Sequence, residues 1–161
     1  MASKDIFSAV DPVDIGSIVV LFAVIGSGSA VVGVLTTGWA EAVFSTGSTG
    51  AVEFGPIFVA QLYLAITAAA LVGAPLLAGL TGFLFGSQLF GYDKTLVTCV
   101  SGIGVGSLVY VFVFIGAVVI FQGPGAEQAY GFGDVVSLAI ITAFVSTIVG
   151  TVAGLRGQAI S

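Results

Sequence analysis

The sequence predicts an all-α integral membrane protein, a four-helix transmembrane bundle in a single domain covering residues 1–161. Its composition is 58% hydrophobic and only 7% charged, whereas about a quarter of the residues in an ordinary soluble domain are charged. Four long apolar stretches, at about 13–37, 56–87, 96–122 and 134–155, each reach the roughly 20 residues that a helix needs to cross a bilayer. Because these stretches are continuously apolar and do not alternate, they favour helices over a β-barrel.

The first helix has a clear start. Asp11 is suited to be its N-cap and Pro12 its first residue, where the missing backbone N–H costs nothing. We expect this stretch to be retained and not cleaved as a signal peptide, since it is long and its N-terminal flank is acidic. Trp39 follows the helix, where its amphipathic ring predicts an anchor at headgroup level. Residues 38–55, rich in Gly, Ser and Thr, predict an outer loop.

The second stretch, 56–87, is longer than a bilayer is thick, at about 48 Å of helix. The helix must therefore tilt, bend or leave the membrane early. Pro75 predicts a kink, because its ring removes one backbone donor and displaces a carbonyl. Residues 79–86, with three glycines, predict loosely held helix that could end early.

The third and fourth helices are bounded by turn signals. Residues 90–94 predict a tight charged turn in which Tyr92 is a second interface anchor. The third helix carries glycines early and bulky aromatic residues late, which predicts tight packing in its first half and contact with lipid or a partner in its second half. A Gly-Pro-Gly sequence ends it. An outer loop at 123–133 then leads to Asp134, a plausible N-cap for the fourth helix.

The few basic residues predict an orientation. Lys4, Lys94 and Arg156 all fall on the same side when the four helices are threaded through a bilayer. The positive-inside rule places that side in the cytoplasm, so that both termini are inside.

The spans predict no ordinary chemistry. They contain no ionisable residue at mid-membrane depth, which would be the usual marker of a proton or ion path. The chain has no His, and its one cysteine, Cys99, is interpreted as a buried small hydrophobe. We therefore expect no enzyme activity, no catalytic residues, no metal site and no cofactor.

Small residues spaced four apart are the main feature of the spans. This spacing puts them on one helix face, where two backbones can approach closely. The packing interpretation competes with a narrow pore lined by glycines and hydroxyls. The residues predicted to pack helices are Gly26, Ser29, Ala30, Gly33, Gly102, Gly106, Ser146, Gly150 and Gly154.

Two function classes follow. The first is a structural or accessory membrane protein that packs with copies of itself or with partner subunits in a larger assembly, with lipid and protein as partners and no nucleic acid. The alternative is a channel or transporter component for a small neutral solute, using a broken second helix. Transport predicts a continuous polar cavity containing Ser27, Ser107 or Ser146, whereas a scaffold predicts these groups packed dry.

The charge balance suggests a setting. Eight acidic residues against three basic ones give a net charge of −5, in a chain rich in Ala, Val, Gly and Thr. By composition alone the chain resembles small multi-spanning membrane proteins of haloarchaea or of lipid-containing haloarchaeal viruses. That resemblance implies a cell membrane or a virion membrane as the location, and capsid proteins as partners in the second case.

Overall fold

Four helices make up the described structure, a computed structural model that covers residues 11–45, 49–121 and 132–160. They are α1 (Pro12–Ser45), α2 (Thr49–Gly86), α3 (Tyr92–Ile120) and α4 (Phe132–Ile160). Each is long and apolar enough to cross a membrane, which confirms the predicted all-α architecture with four such helices. Lys4 and most of the predicted loop at 123–133 lie outside the described residues.

The start of α1 is capped as the sequence predicts. The Asp11 carboxylate accepts a hydrogen bond from the Val13 N–H at 2.9 Å, and the Asp11 carbonyl accepts one from the Asp14 N–H at 3.1 Å. Both bonds satisfy donors that the first turn of a helix leaves open. Pro12, the first helical residue, has no donor to satisfy.

The predicted outer loop at 38–55 is wrong in extent, because α1 continues to Ser45 and α2 begins at Thr49. Contacts between the two helices hold these extensions. The Phe44 and Phe58 rings lie 4.8 Å apart, and the Tyr63 hydroxyl donates a hydrogen bond to Glu41 at 3.0 Å. Tertiary contacts of this kind outweigh the small helix-propensity penalties of Gly, Ser and Thr.

Helix α2 is one uninterrupted helix through Pro75 to Gly86, so the kink at Pro75 stays a prediction. Residues 79–86 do not end the helix early; they form part of the closest helix contact that we describe below. A short turn follows, in which Gly91 has φ 105, a left-handed value that suits glycine. Helix α3 begins directly after it, earlier than predicted.

The helices pair in a specific way. Going along α1 and α3 in the same direction, Ile18 lies against Gly102, Phe22 against Gly106, and Gly26 against Tyr110. Helices α2 and α4 also run parallel to each other. Helices α3 and α4 run antiparallel and are in extensive contact. Although α1 and α2 are consecutive along the chain, they contact each other much less.

The charged groups at one end of the bundle come together. Lys94 Nζ lies 3.3 Å from Asp14 Oδ2, which joins the start of α3 to the start of α1. At the same end, the Gln158 amide of α4 is placed to accept a hydrogen bond from the Tyr92 N–H at 3.1 Å. Lys94 and the Arg156 region therefore share one end of the bundle. Which side of a membrane this end faces stays a prediction.

Candidate functional site: helix interfaces and a lateral groove

The closest helix contact joins α2 to α4 through glycines on both helices. A Cβ added at Gly82 would collide with the backbone carbonyl group of Gly150, and one added at Gly86 would collide with that of Gly154. The two backbones therefore touch directly. Any side chain larger than hydrogen at Gly82 or Gly86 must push the helices apart.

Gly150 and Gly154 also face α3. A Cβ at Gly154 would lie 2.7 Å from Cys99 Sγ, and one at Gly150 would meet the Ile103 side chain. Cys99 is fully buried in this contact, where its thiol fills the space beside a glycine. The predicted packing residues of α4 thus sit between two helices, and α2 is the neighbour that they approach by backbone.

The interface of α1 with α3 uses glycines of α3 against large side chains of α1. Cβ atoms added at Gly102 and Gly106 would each come to 2.9 Å from a side-chain atom, of Ile18 and Phe22 respectively. Both large side chains are fully buried. Here the glycines of α3 leave space that the large side chains of α1 fill. Between α2 and α4, by contrast, backbone meets backbone.

In the second half of this interface, the small residues are on α1 and the large side chain is on α3. Gly26 of α1 lies against Tyr110, with its hypothetical Cβ 3.2 Å from the Tyr110 Cα, and Ala30 is buried on the same face. The Ser29 hydroxyl lies beside that of Tyr110. Gly33 faces Ile66 of α2, with its hypothetical Cβ 3.3 Å from the Ile66 Cγ2. The predicted α1 residues therefore split between two neighbouring helices.

Ser107 and Ser146 are packed inside the bundle. Each is 0% exposed, and neither hydroxyl has a hydrogen-bond partner among the described residues. The register of α3 and α4, which pairs Ile103 with Gly150, places Ser107 level with Ser146 one turn further along. Ser27, the third serine named by the transport hypothesis, is exposed and donates to the Ala23 carbonyl of its own helix at 2.8 Å.

Two open cavities flank α1. The larger, of about 580 Å³, lies between α1 and α2 and is floored by Tyr110 and Phe114 of α3. The smaller, of about 350 Å³, lies between α1 and α3, and Ser27 contributes to its mainly apolar lining. Neither cavity includes Ser107 or Ser146.

The two predicted interface anchors are exposed. Trp39 is 68% exposed within the last part of α1, and Tyr92 is 59% exposed as the first residue of α3. They lie toward opposite ends of the bundle, as two anchors at opposite interfaces would. Their depth in a membrane stays a prediction.

The sequence analysis did not predict that Gly82 and Gly86 pack against another helix, and it did not predict the hydrogen bond between Tyr63 and Glu41. Gly82 and Gly86 have the same spacing of four as the predicted packing pairs, so the signal was present in the sequence. The hydrogen bond between Tyr63 and Glu41 depends on α1 extending past Thr37, which composition did not indicate. Tyr63 is almost completely buried there.

Within the described ranges, no three His, Cys, Asp or Glu side chains come together in a way that could hold a metal ion. Comparisons with protein-family models, with curated proteins and with solved structures found no match for this chain.

Proposed function

We propose that this chain is an integral membrane protein with a structural or accessory role, one that packs with copies of itself or with partner subunits in a larger membrane assembly. The observation that carries the proposal is the complete burial of Ser107 and Ser146 between helices. A solute pathway through the bundle needs hydrated polar groups, and these two central hydroxyls face neighbouring helices instead. Other molecules would then bind to the outer surface of the bundle.

That outer surface includes places where another helix could approach closely. Cβ atoms added at Gly16 and Gly38 of α1, or at Gly116 of α3, would meet no atom within 4 Å. Glycines on the outside of a span allow the backbone of a second helix to come near, as Gly82 allows Gly150 to do inside the bundle. This supports association with a copy or a partner.

The orientation that we propose has both termini inside. It can be tested in a Cys99→Ala background with single cysteines at Phe90 and Ala159 at one end of the bundle and at Val43 at the other. A membrane-impermeant thiol reagent added from outside should label only the cysteine at Val43. Labelling of the other two, with Val43 protected, would reverse the topology.

The assembly itself is tested by gentle solubilisation of the native membrane, cross-linking and mass measurement. We expect a complex of fixed stoichiometry, and we expect liposomes that contain the protein to take up neutral solutes no faster than empty liposomes. A monomer that increases solute flux would refute the structural role and favour the transport alternative. Fractionation of the same sample would distinguish a cell membrane from a virion membrane.

A further inference from the structure

The larger cavity is a groove between α1 and α2, in the middle of the two spans. Its walls come from residues 25–36 of α1 and from Ile66, Ala69 and Ala70 of α2. The groove is open along one side, where Val32 is 64% exposed. An open groove at this position faces the surroundings of the bundle, which in a bilayer are hydrocarbon chains.

The polar groups in the groove are few, and they lie against other groups of the protein. The Thr36 hydroxyl donates to the Val32 carbonyl of its own helix at 2.7 Å, and the Ser29 hydroxyl lies beside that of Tyr110. No lining residue is charged. A charged or strongly polar ligand would lose its hydration without gaining partners here, so the lining is complementary to a neutral, apolar ligand.

The size of the groove distinguishes between two candidate apolar ligands, a helix and a hydrocarbon chain. A helix with its side chains is about 10–12 Å across, so a volume of about 580 Å³ would hold only about 5–7 Å of helix, little more than one turn. The whole body of a transmembrane helix therefore does not fit inside it. A single flexible hydrocarbon chain is much narrower and can follow the groove along α1.

We propose that this groove is a binding site for one hydrocarbon chain of a membrane lipid. The chain lies between α1 and α2 against Phe114 and Tyr110, and supplies the packing that the two helices do not give each other. The headgroup stays outside the groove, so binding depends on the chain and not on headgroup chemistry. This inference rests on the membrane location proposed above.

Gly28 offers a clean test, because it lines the groove and a Cβ there would meet no atom within 4 Å. Gly28→Leu should fill the groove without disturbing the bundle. Gly38→Leu is the matched control, on the same helix, equally open and outside the lining. Ala69→Leu fills the groove from α2, in case the first variant folds poorly.

The proteins are reconstituted with dioleoyl phosphatidylcholine or dioleoyl phosphatidylglycerol, released into mild detergent and examined by native mass spectrometry, with circular dichroism to check folding. We expect one retained lipid in the wild type and in Gly38→Leu, with either headgroup. Because the leucine side chain and the lipid chain compete for one volume, occupancy should fall about tenfold or more in Gly28→Leu and Ala69→Leu.

Three results would overturn the groove proposal: a wild type without lipid, equal retention in all folded variants, or retention that follows the headgroup. A disulfide-linked dimer formed by Gly28→Cys in the Cys99→Ala background would also overturn it, in favour of a second copy at this face. These results leave the membrane location intact. A wild type that stays in solution without detergent would instead remove the proposed location and the groove proposal together.

Discussion

Replacing Gly82 by alanine should weaken the bundle, because the new methyl group would overlap the backbone of α4. The new Cβ would lie 2.8 Å from the carbonyl carbon of Gly150, whereas ordinary contacts begin at 3.4 Å. The obstacle is backbone, so no side chain can turn away to make room. The Gly150 carbonyl oxygen lies closer still to the new Cβ, so helices α2 and α4 must separate locally by more than 0.6 Å, the difference between those two distances.

The size of the effect follows from that separation. A gap of 0.5–1 Å loses roughly a quarter to a half of the dispersion attraction of each contact that it opens, and adding a methyl group to a packed interior typically costs about 1–3 kcal/mol. Alanine also has a higher helix propensity than glycine, which offsets part of the cost. A control variant must therefore have the same gain in helix propensity without the backbone collision.

Gly79→Ala is that control. It lies on the same helix and faces the same neighbour, but its Cβ would be 3.4 Å from Val149 Cγ1, an ordinary contact. Both variants gain the same helix propensity, so their difference reports the backbone collision alone. We expect Gly82→Ala to be less stable than Gly79→Ala by about 1–3 kcal/mol in unfolding by sodium dodecyl sulfate from mixed micelles. Equal stabilities would show that α2 and α4 do not touch by backbone.

Three further changes test other contacts by the same unfolding measurement. Ser146→Ala should be neutral or stabilising, because its buried hydroxyl has no partner among the described residues and an unmatched polar group costs about 1–3 kcal/mol; a loss above about 1 kcal/mol would reveal a partner such as a bound water. Lys94→Met should cost at most about 1 kcal/mol, since the side chains of Lys94 and Asp14 are 31% and 30% exposed, and concentrated salt should abolish the difference. Tyr63→Phe should cost about 1–2 kcal/mol by removing the bond to Glu41; an unchanged stability would mean that water replaces the hydroxyl.

Much of the helical framework could be predicted because it depends on local signals. The apolar stretches give the four helices, and Asp11 with Pro12 gives the start of α1. The region 38–55 was mispredicted because its composition is typical of loops, while the contacts that keep it helical join residues far apart in sequence. Phe44 with Phe58 is one such contact, and no local pattern indicates it.

Partner choice could not be predicted for a related reason. Spacing of four marks Gly150 and Gly154 as a close-packing face, but it is equally compatible with any neighbouring helix. The same spacing occurs at Gly82 and Gly86, but glycines also weaken a helix. The sequence does not show whether close packing or the loss of helix propensity prevails there. In the structure the neighbouring backbone occupies the space that the missing side chains leave, so packing prevails.

The uneven pattern of α3 accounts for both the tight packing and the groove. Gly102 and Gly106 in its first half admit Ile18 and Phe22, which draws α1 close to α3. In the second half, the Tyr110 and Phe114 side chains are nearly buried and form the floor of the space between α1 and α2. Tyr110 and Phe114 thus lie between α1 and α2 and hold them apart, and the proposed lipid chain reaches them through the groove that this separation creates.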